Sequence, residues 1–420
     1  MFETYGALIA LVAAIVLIIR KVPPAYALVF GALAGGLCGG GGLSGTVDAM
    51  VSGTQSMMPS VLRILTSGVL AGALVKTGSA AKLADSIVSA LGSRFAVAAV
   101  ALAAMTVTAV GVFVDIAVIT VAPVALAVAK RANLPVGAML VAMVGGGKAG
   151  NIVSPNPNTI AAAGAFKVEL TSLIGENIIP AAVAFFVTVF IASRLARKLE
   201  VRVDQFESVG LTEETPTLAG ALSGPIAVVV LLSLRPTLGI SIDPLIALPA
   251  GGLVSAVACG KWRESLEYSQ FGLSRVVGVA VLLVGTGCVA GIIKSSELGS
   301  DMVRLLDACR LPAYALAPIS GIALGGASAS TTAGVTIASQ TFAESLISAG
   351  VPAVSAAAMI HAGGTVLDAL PHGSFFHATA GAVGISVKER LKLFPYGALV
   401  GLASTAASIA VYVVSKGVSS

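Results

Sequence analysis

The sequence predicts an all-α polytopic membrane protein built as two inverted repeats, each with about five transmembrane helices, a re-entrant hairpin and a broken helix. Three observations lead there. Of the 420 residues, 56% are hydrophobic and 11% charged, with a mean hydropathy of +0.98, whereas soluble domains carry about 25% charged residues. Pro135 to Phe166 (PVGAMLVAMVGGGKAGNIVSPNPNTIAAAGAF) aligns without a gap on Pro352 to Val383 (PAVSAAAMIHAGGTVLDALPHGSFFHATAGAV), so that Gly146-Gly147 meets Gly363-Gly364 at an offset of 217. Upstream, Pro24-Ala25-Tyr26-Ala27-Leu28 matches Pro244-Leu245-Ile246-Ala247-Leu248 at an offset of 220. A Gly/Pro-interrupted apolar segment at matching places in two halves points to the substrate site of a transporter.

The first repeat occupies residues 1–195. Its apolar runs predict spans near 5–20, 24–42 and 56–77, a short amphipathic helix near 79–91, a hairpin at 95–130, a broken helix at 134–167 and a closing span at 176–195. A cytoplasmic linker follows at 196–217, with Glu200, Asp204, Glu207, Glu213 and Glu214 as a solvated connector. The second repeat, 218–420, has spans near 218–236, 242–260 and 271–293, a hairpin at 312–346, a broken helix at 351–384 and a closing span at 391–415. Glu3 in place of lysines, and no small-residue cleavage site, argue against a removable signal peptide. Cys38, Cys259, Cys288 and Cys309 lack metal or CxxC spacing. Gly31, Gly35 and Gly39 have the small-xxx-small spacing of helix packing, at the scaffold or at a dimer contact.

The hairpins rest on what their centres lack. Gly111 and Asp115 interrupt the first, and Gly325 to Thr332 form a small, hydroxyl-bearing turn in the second, with no charged loop between limbs. Irregular backbone at membrane depth is tolerated where protein buries it or it lines a wet cavity. The other reading is two full spans, with serines bonding back to their own helices. A hairpin that enters and leaves on one side gives each half an odd number of crossings, which inverts the second half.

Positive charge fits that topology. With both termini outside, fifteen Lys and Arg residues fall in cytoplasmic segments, Arg390 among them, and six in outer ones. The net charge of +5 therefore reflects topology, and its scatter over inner loops excludes a nucleic-acid surface.

Ionisable residues within the apolar segments are few, and they include Asp115, Lys148, Asp368, and His361, His372 and His377. Intramembrane charge is costly and marks function by default. Lys148 either holds a substrate carboxylate or forms a structural ion pair with Asp115 or Asp368. The repeat pairs Lys148 with Thr365, Asn151 with Asp368, Pro155 with His372 and Ile160 with His377, so the scaffold is duplicated and the charges are not. These asymmetric groups are candidates for ligand recognition and ion coupling. Shared glycines such as Gly364 let the helix stop and expose backbone groups to a ligand.

Three stretches stand out at the breaks and the second hairpin: Ser154-Pro155-Asn156-Pro157-Asn158-Thr159 with the following Ile160 to Phe166, Leu367-Asp368-Ala369-Leu370-Pro371-His372-Gly373, and Gly326 to Gly334 (GASASTTAG). In these the chain resembles the gluconate permease family of proton symporters, whose motifs they match across both halves. The resemblance implies scaffold and transport domains, an elevator-type motion, a homodimer and an inner-membrane location. It also implies a binding role for Ser154, Asn156, Asn158, Thr159, Ser328, Ser330, Thr331, Thr332, Asp368 and His372. Asn156 stands where the family motif has histidine, and Asn158-Thr159 where it has Gly-Pro, so the expected substrate is the broader class of small organic anions.

Together these readings assign substrate binding to Lys148, Asn151, Ser154, Asn156, Asn158, Thr159, Ser328, Ser330, Thr331, Thr332, Gly364 and Thr365, and ion coupling to Asp368, His372, His361 and Asp115. Protons are the expected coupling ion because Asp368 and the histidines titrate; sodium is the alternative, given the oxygen-rich tips. No organic cofactor, metal or nucleic acid is expected. A channel would need charge rings or a filter repeat, and an enzyme a motif such as GxSxG or HExxH; neither is present in the sequence.

Overall fold

The computed structural model describes residues 3–92, 95–199, 216–238, 240, 242–296, 298, 301, 304, 308, 312–371 and 373–418. The first half contributes α1 (Thr4–Ile19), α2 (Pro24–Cys38), α3 (Gly42–Lys76), α4 (Ser79–Leu91), α5 (Ala96–Ala109), α6 (Val114–Ala132), α7 (Val136–Asn151), α8 (Pro157–Phe166), α9 (Leu170–Glu176) and α10 (Ile178–Ala196). The second contributes α11 (Leu218–Leu238), α12 (Pro244–Ala258), α13 (Ser265–Lys294), α14 (Leu316–Ser328), α15 (Thr331–Ser348), α16 (Ala353–Gly364), α17 (Ser374–Ala382) and α18 (Val387–Val418). Nearly all of the linker expected at 196–217, and Cys309, lie outside the described residues.

Proline and polar caps set several helix starts. Pro24, Pro157 and Pro244 occupy first turns, where a missing N–H costs nothing. Asp243 caps α12 by accepting the Leu245 N–H at 2.8 Å, and its carboxylate also holds Arg63 at 2.6 Å. Gly78, at φ 78°, turns the chain from α3 into α4.

Two helices are longer than their apolar runs suggest. α3 begins at Gly42, not near 56, and has 35 residues; α13 begins at Ser265, not near 271. The stretch GLSGTVDAMVSGTQ reads as a loop because of its Gly, Ser and Thr, yet Thr46, Met50, Gly53 and Met57 fall on one buried helical face. That face meets α13. α18 likewise starts four residues early, at Val387, and the short helix α9 was not anticipated from sequence. Against the ten or so spans expected, four helices among the described residues are long and apolar enough to cross a membrane: Gly42–Lys76, Ile178–Ala196, Trp262–Lys294 and Val387–Ser415. Half of the others are shorter apolar helices, among them α1, α2, α5, α11 and α12.

The helices divide into two groups. α1, α2 and α3 pack with α11, α12 and α13, while α5 to α10 pack with α14 to α18. At the centre of the first group, α3 and α13 run antiparallel at backbone contact. A Cβ placed on Gly53, Gly72, Gly272 or Gly291 would overlap the carbonyls of Gly287, Tyr268, Gly68 and Ala49 respectively. Shifting both members by 219, up for one and down for the other, converts the Gly53–Gly287 contact into Gly272–Gly68, and Gly72–Tyr268 into Gly291–Ala49. Gly31 and Gly35 serve α1, whose Ala10 and Gly6 backbones they touch, within one chain.

The second group has the same pairing. Gly146 lies on the Ala101 carbonyl and Gly363 on that of Pro318, an offset of 217 in both members. Helices cross between halves: α8 packs on α15, and α17 packs on α6.

Substituting Gly272 by Val forces a branched side chain onto the Gly68 carbonyl, and overpacking of this kind costs about 1–3 kcal/mol. The thermal unfolding midpoint in detergent is expected to fall by several degrees, whereas Gly278→Ala, where a Cβ meets nothing within 4 Å, leaves it unchanged or raised.

Candidate functional site

Helix interruptions from both halves converge on one cavity of about 680 Å³. The first follows Asn151, where α7 stops, and ends at Asn156, which caps α8. The Asn156 side-chain oxygen accepts the N–H groups of Asn158 (2.9 Å) and Thr159 (3.2 Å), and its amide donates to the backbone and side-chain oxygens of Asn151 at 2.8 and 2.6 Å. Asn158 Nδ2 donates to the same Asn151 oxygen at 3.0 Å, and Thr159 Oγ1 to the Ser154 carbonyl at 2.6 Å. Pro155 and Pro157 have no N–H to satisfy here. Of the residues expected to bind substrate at this break, Asn151 and Asn158 line the cavity, while Ser154, Asn156 and Thr159 are buried beneath it. Asn156 and Thr159 hold the break in shape. Asn151 Nδ2, Asn158 Oδ1 and Ser154 Oγ have no hydrogen-bond partner.

The tip between α14 and α15 is Ala329-Ser330. Ala329 adopts φ +46°, a conformation costing about 1–2 kcal/mol for an L-residue, and its carbonyl abuts Gly373, where any side chain would collide. Ser330 caps α15 through the Ala333 N–H at 3.3 Å, and Ser328 donates to the Leu324 carbonyl at 2.7 Å. Ser328, Ser330, Thr331 and Thr332 all line the cavity.

The second interruption runs from the end of α16 at Gly364 to the start of α17 at Ser374. Asp368, on the cavity wall, bridges three elements: Thr331 donates to its Oδ2 at 2.6 Å, and Lys148 Nζ lies 2.7 Å from its Oδ1. Lys148, 2% exposed, also donates to the backbone carbonyls of Thr365 and Gly397. Of the two readings of Lys148, the structure displays the ion pair, with Asp368 as partner, and the ammonium sits behind the cavity wall. Thr365 turns its hydroxyl to the Ala362 carbonyl, and Gly364 packs against Val335. Neither lines the cavity.

Asp115 lines the cavity from the first turn of α6. Of the described histidines, neither forms a hydrogen bond or ion pair with Asp368. His361 is fully buried in α16 with neither ring nitrogen hydrogen-bonded, His377 is exposed with Nε2 2.8 Å from the Pro371 carbonyl, and His372 lies outside the described residues.

Arg390, expected in a cytoplasmic segment, has a side chain that is 2% exposed. Its Nε donates to Thr379 at 3.2 Å, its guanidinium lies 5.3 Å over the Phe376 ring, and its Nη2 has no partner. The phase of α18 carried the signal: Arg390 continues the buried series Leu393, Gly397, Val400 and Ser404.

Four helix N-termini border the cavity, at Phe113–Asp115 of α6, Asn158 of α8, Ser330–Ala333 of α15 and Gly373–Phe375 of α17. Each brings the positive end of a helix dipole, while the first-turn N–H groups of α8 are taken up by Asn156 and the Ala333 N–H of α15 by Ser330. The opposite wall, from Pro23–Ala25 and the Arg275–Leu282 stretch of α13, belongs to the first helix group.

Known proteins share this sequence and fold. The chain is 50% identical over 98% of its length, and 98% of the relative's, to an uncharacterized transporter of Haemophilus influenzae. It is 27% identical to the inner membrane permease YgbN of Escherichia coli, over 78% of this chain and 80% of that one. The crystal structure of the Alcanivorax borkumensis YdaH transporter superposes with a TM-score of 0.66 at 17% identity, covering 89% of both chains, which makes the fold common to the two. Residues 4–248 match the model of the GntP family permeases, and the chain, a multi-pass membrane protein, therefore belongs to the GntP permease family.

Proposed function

We propose that this permease is a secondary transporter carrying a small organic anion, a sugar acid or hydroxycarboxylate, in symport with protons across the inner membrane. The observation that carries the anion reading is the meeting of four helix N-termini at one cavity. Oriented N–H groups and dipoles favour a carboxylate there, and the cavity volume lies in the range of small-molecule sites. Buried charge supports it. Lys148 and Asp368 neutralise one another, the Arg390 guanidinium forms no ion pair with a described carboxylate, and the cavity wall adds one cation, Arg275, and one further carboxylate, Asp115. Asn151, Asn158 and the hydroxyls of the tip supply directional polar groups for an anion's oxygens.

Proton coupling is assigned to Asp368, which faces the cavity and is tied to both Lys148 and Thr331. Protonation would weaken both ties and so link the hairpin tip to the second break. Sodium coupling is the second reading, favoured by the tip hydroxyls. The exchange of glycine contacts under a constant offset supports two inverted repeats, and the two-group packing supports a scaffold with a moving transport domain. The positive-inside bias supports termini outside. A homodimer completes the proposal by family resemblance.

Uptake of labelled small carboxylates into proteoliposomes is expected under an inward proton gradient and not under sodium alone; accumulation driven only by sodium would overturn the coupling assignment. Asp368→Asn is expected to abolish proton-driven accumulation while retaining anion exchange, with folding checked by gel filtration because an unpaired Lys148 costs about 3–5 kcal/mol. Arg390→Gln is expected to raise the KM for the anion about tenfold, equivalent to about 1.4 kcal/mol; an unchanged KM would remove Arg390 from the anion's electrostatics.

A further inference from the structure

Lys148 belongs to the last turn of α7, yet its ammonium ends inside the interruption of the other half. Three oxygens surround it there: the Thr365 carbonyl at the C-terminal end of α16, the Gly397 carbonyl of α18, and Asp368 Oδ1. An ammonium has three N–H donors, and all three have an oxygen in reach. The cage is built to be close. A Cβ on Gly401 would overlap Val366 and the Thr365 carbonyl, so glycine lets the α18 backbone reach the break. Two main-chain carbonyls, one at the negative end of a half-helix, and one carboxylate make the donor set that broken-helix transporters use for an alkali cation. The aligned position in the second half, Thr365, carries no charge and turns its hydroxyl onto its own helix.

We propose that the Lys148 ammonium is a tethered substitute for a monovalent metal ion: it fills an oxygen cage at the second break and supplies permanently the charge that a coupling sodium would bring and remove. Lys148 is then a positioning residue, holding Asp368 toward Thr331, and the break needs no sodium. The consequence for coupling rests on the transporter reading above; the cage itself is a property of the fold and is tested without transport.

The test is thermal unfolding of the purified full-length protein in detergent, in sodium, lithium, potassium or choline chloride at equal ionic strength. Wild-type protein is expected to unfold at one temperature in all four salts. Lys148→Ala, which opens the cage, is expected to unfold lower in choline and to recover by about 5 °C, saturably, in sodium or lithium, or in propylammonium chloride, which replaces the lost side chain. Lys148→Ala/Asp368→Asn, lacking the carboxylate, is expected to lose that response. A sodium-specific shift in the wild-type protein would overturn the proposal, and so would a folded Lys148→Ala protein indifferent to cation. If Lys148→Ala survives solubilisation only in sodium, lithium or propylammonium, the proposal stands; aggregation in every salt while Lys148→Met stays monodisperse would overturn it, since a neutral chain would then suffice.

Discussion

A salt bridge between two residues 220 positions apart, Lys148 and Asp368, holds the core of this permease together. Both side chains are nearly inaccessible, at 2% and 4% exposure. Taking two ions out of water costs several kcal/mol each, and their attraction offsets this only when the remaining donors and acceptors are also satisfied. Here most are: the ammonium has two carbonyls besides the carboxylate, and Asp368 Oδ2 has the Thr331 hydroxyl, while Oδ1 has the ion-pair contact with Lys148 and no hydrogen bond. The pair therefore fixes α7, the second break, the tip before α15 and α18 in one arrangement. Removing either member leaves the other as an uncompensated charge.

Around that pair the helix ends are sorted by polarity. N-termini of α6, α8, α15 and α17 border the cavity, whereas the C-terminal end of α16 turns its carbonyl to the buried ammonium. A helix broken at mid-depth necessarily creates one end of each kind. The fold places the positive ends where a ligand can reach and the negative end where a cation is already held. The anion preference proposed for the site would thus begin in backbone geometry, with side chains such as Asn151, Asn158 and Ser330 adding direction to it.

Much of this was legible in the residues. Glycine pairs followed by Pro155 and Pro157 in one half and Pro371 in the other announced where helices stop, and the isolated Asp and Lys announced where charge is buried. Other features were not legible. The polar start of α3 looks like a loop until α13 is beside it, because its buried face is made of Thr, Met and Gly and not of long apolar side chains. Asn156 and Thr159 look like ligands, but Asn156 spends its hydrogen bonds on capping α8 and on Asn151, and the Thr159 hydroxyl spends its own on the Ser154 carbonyl. Three histidines near one aspartate in sequence suggested a relay; helical phase sends His361 and His377 elsewhere. Arg390 was hidden among exposed neighbours, since one buried cation in a charged run is visible only when the phase of the whole helix is followed.

The crosswise packing of α8 on α15 and of α17 on α6 has a consequence for biosynthesis. When the first half has been made, α6 and α8 are present but the helices that cover them are still to be translated. Their small, polar tips must wait in the bilayer or beside the insertion machinery without the partners that satisfy them. The first half is thus an obligate intermediate with an incomplete surface, and the Lys148 ammonium within it has no carboxylate from the second break until nearly nine-tenths of the chain has emerged.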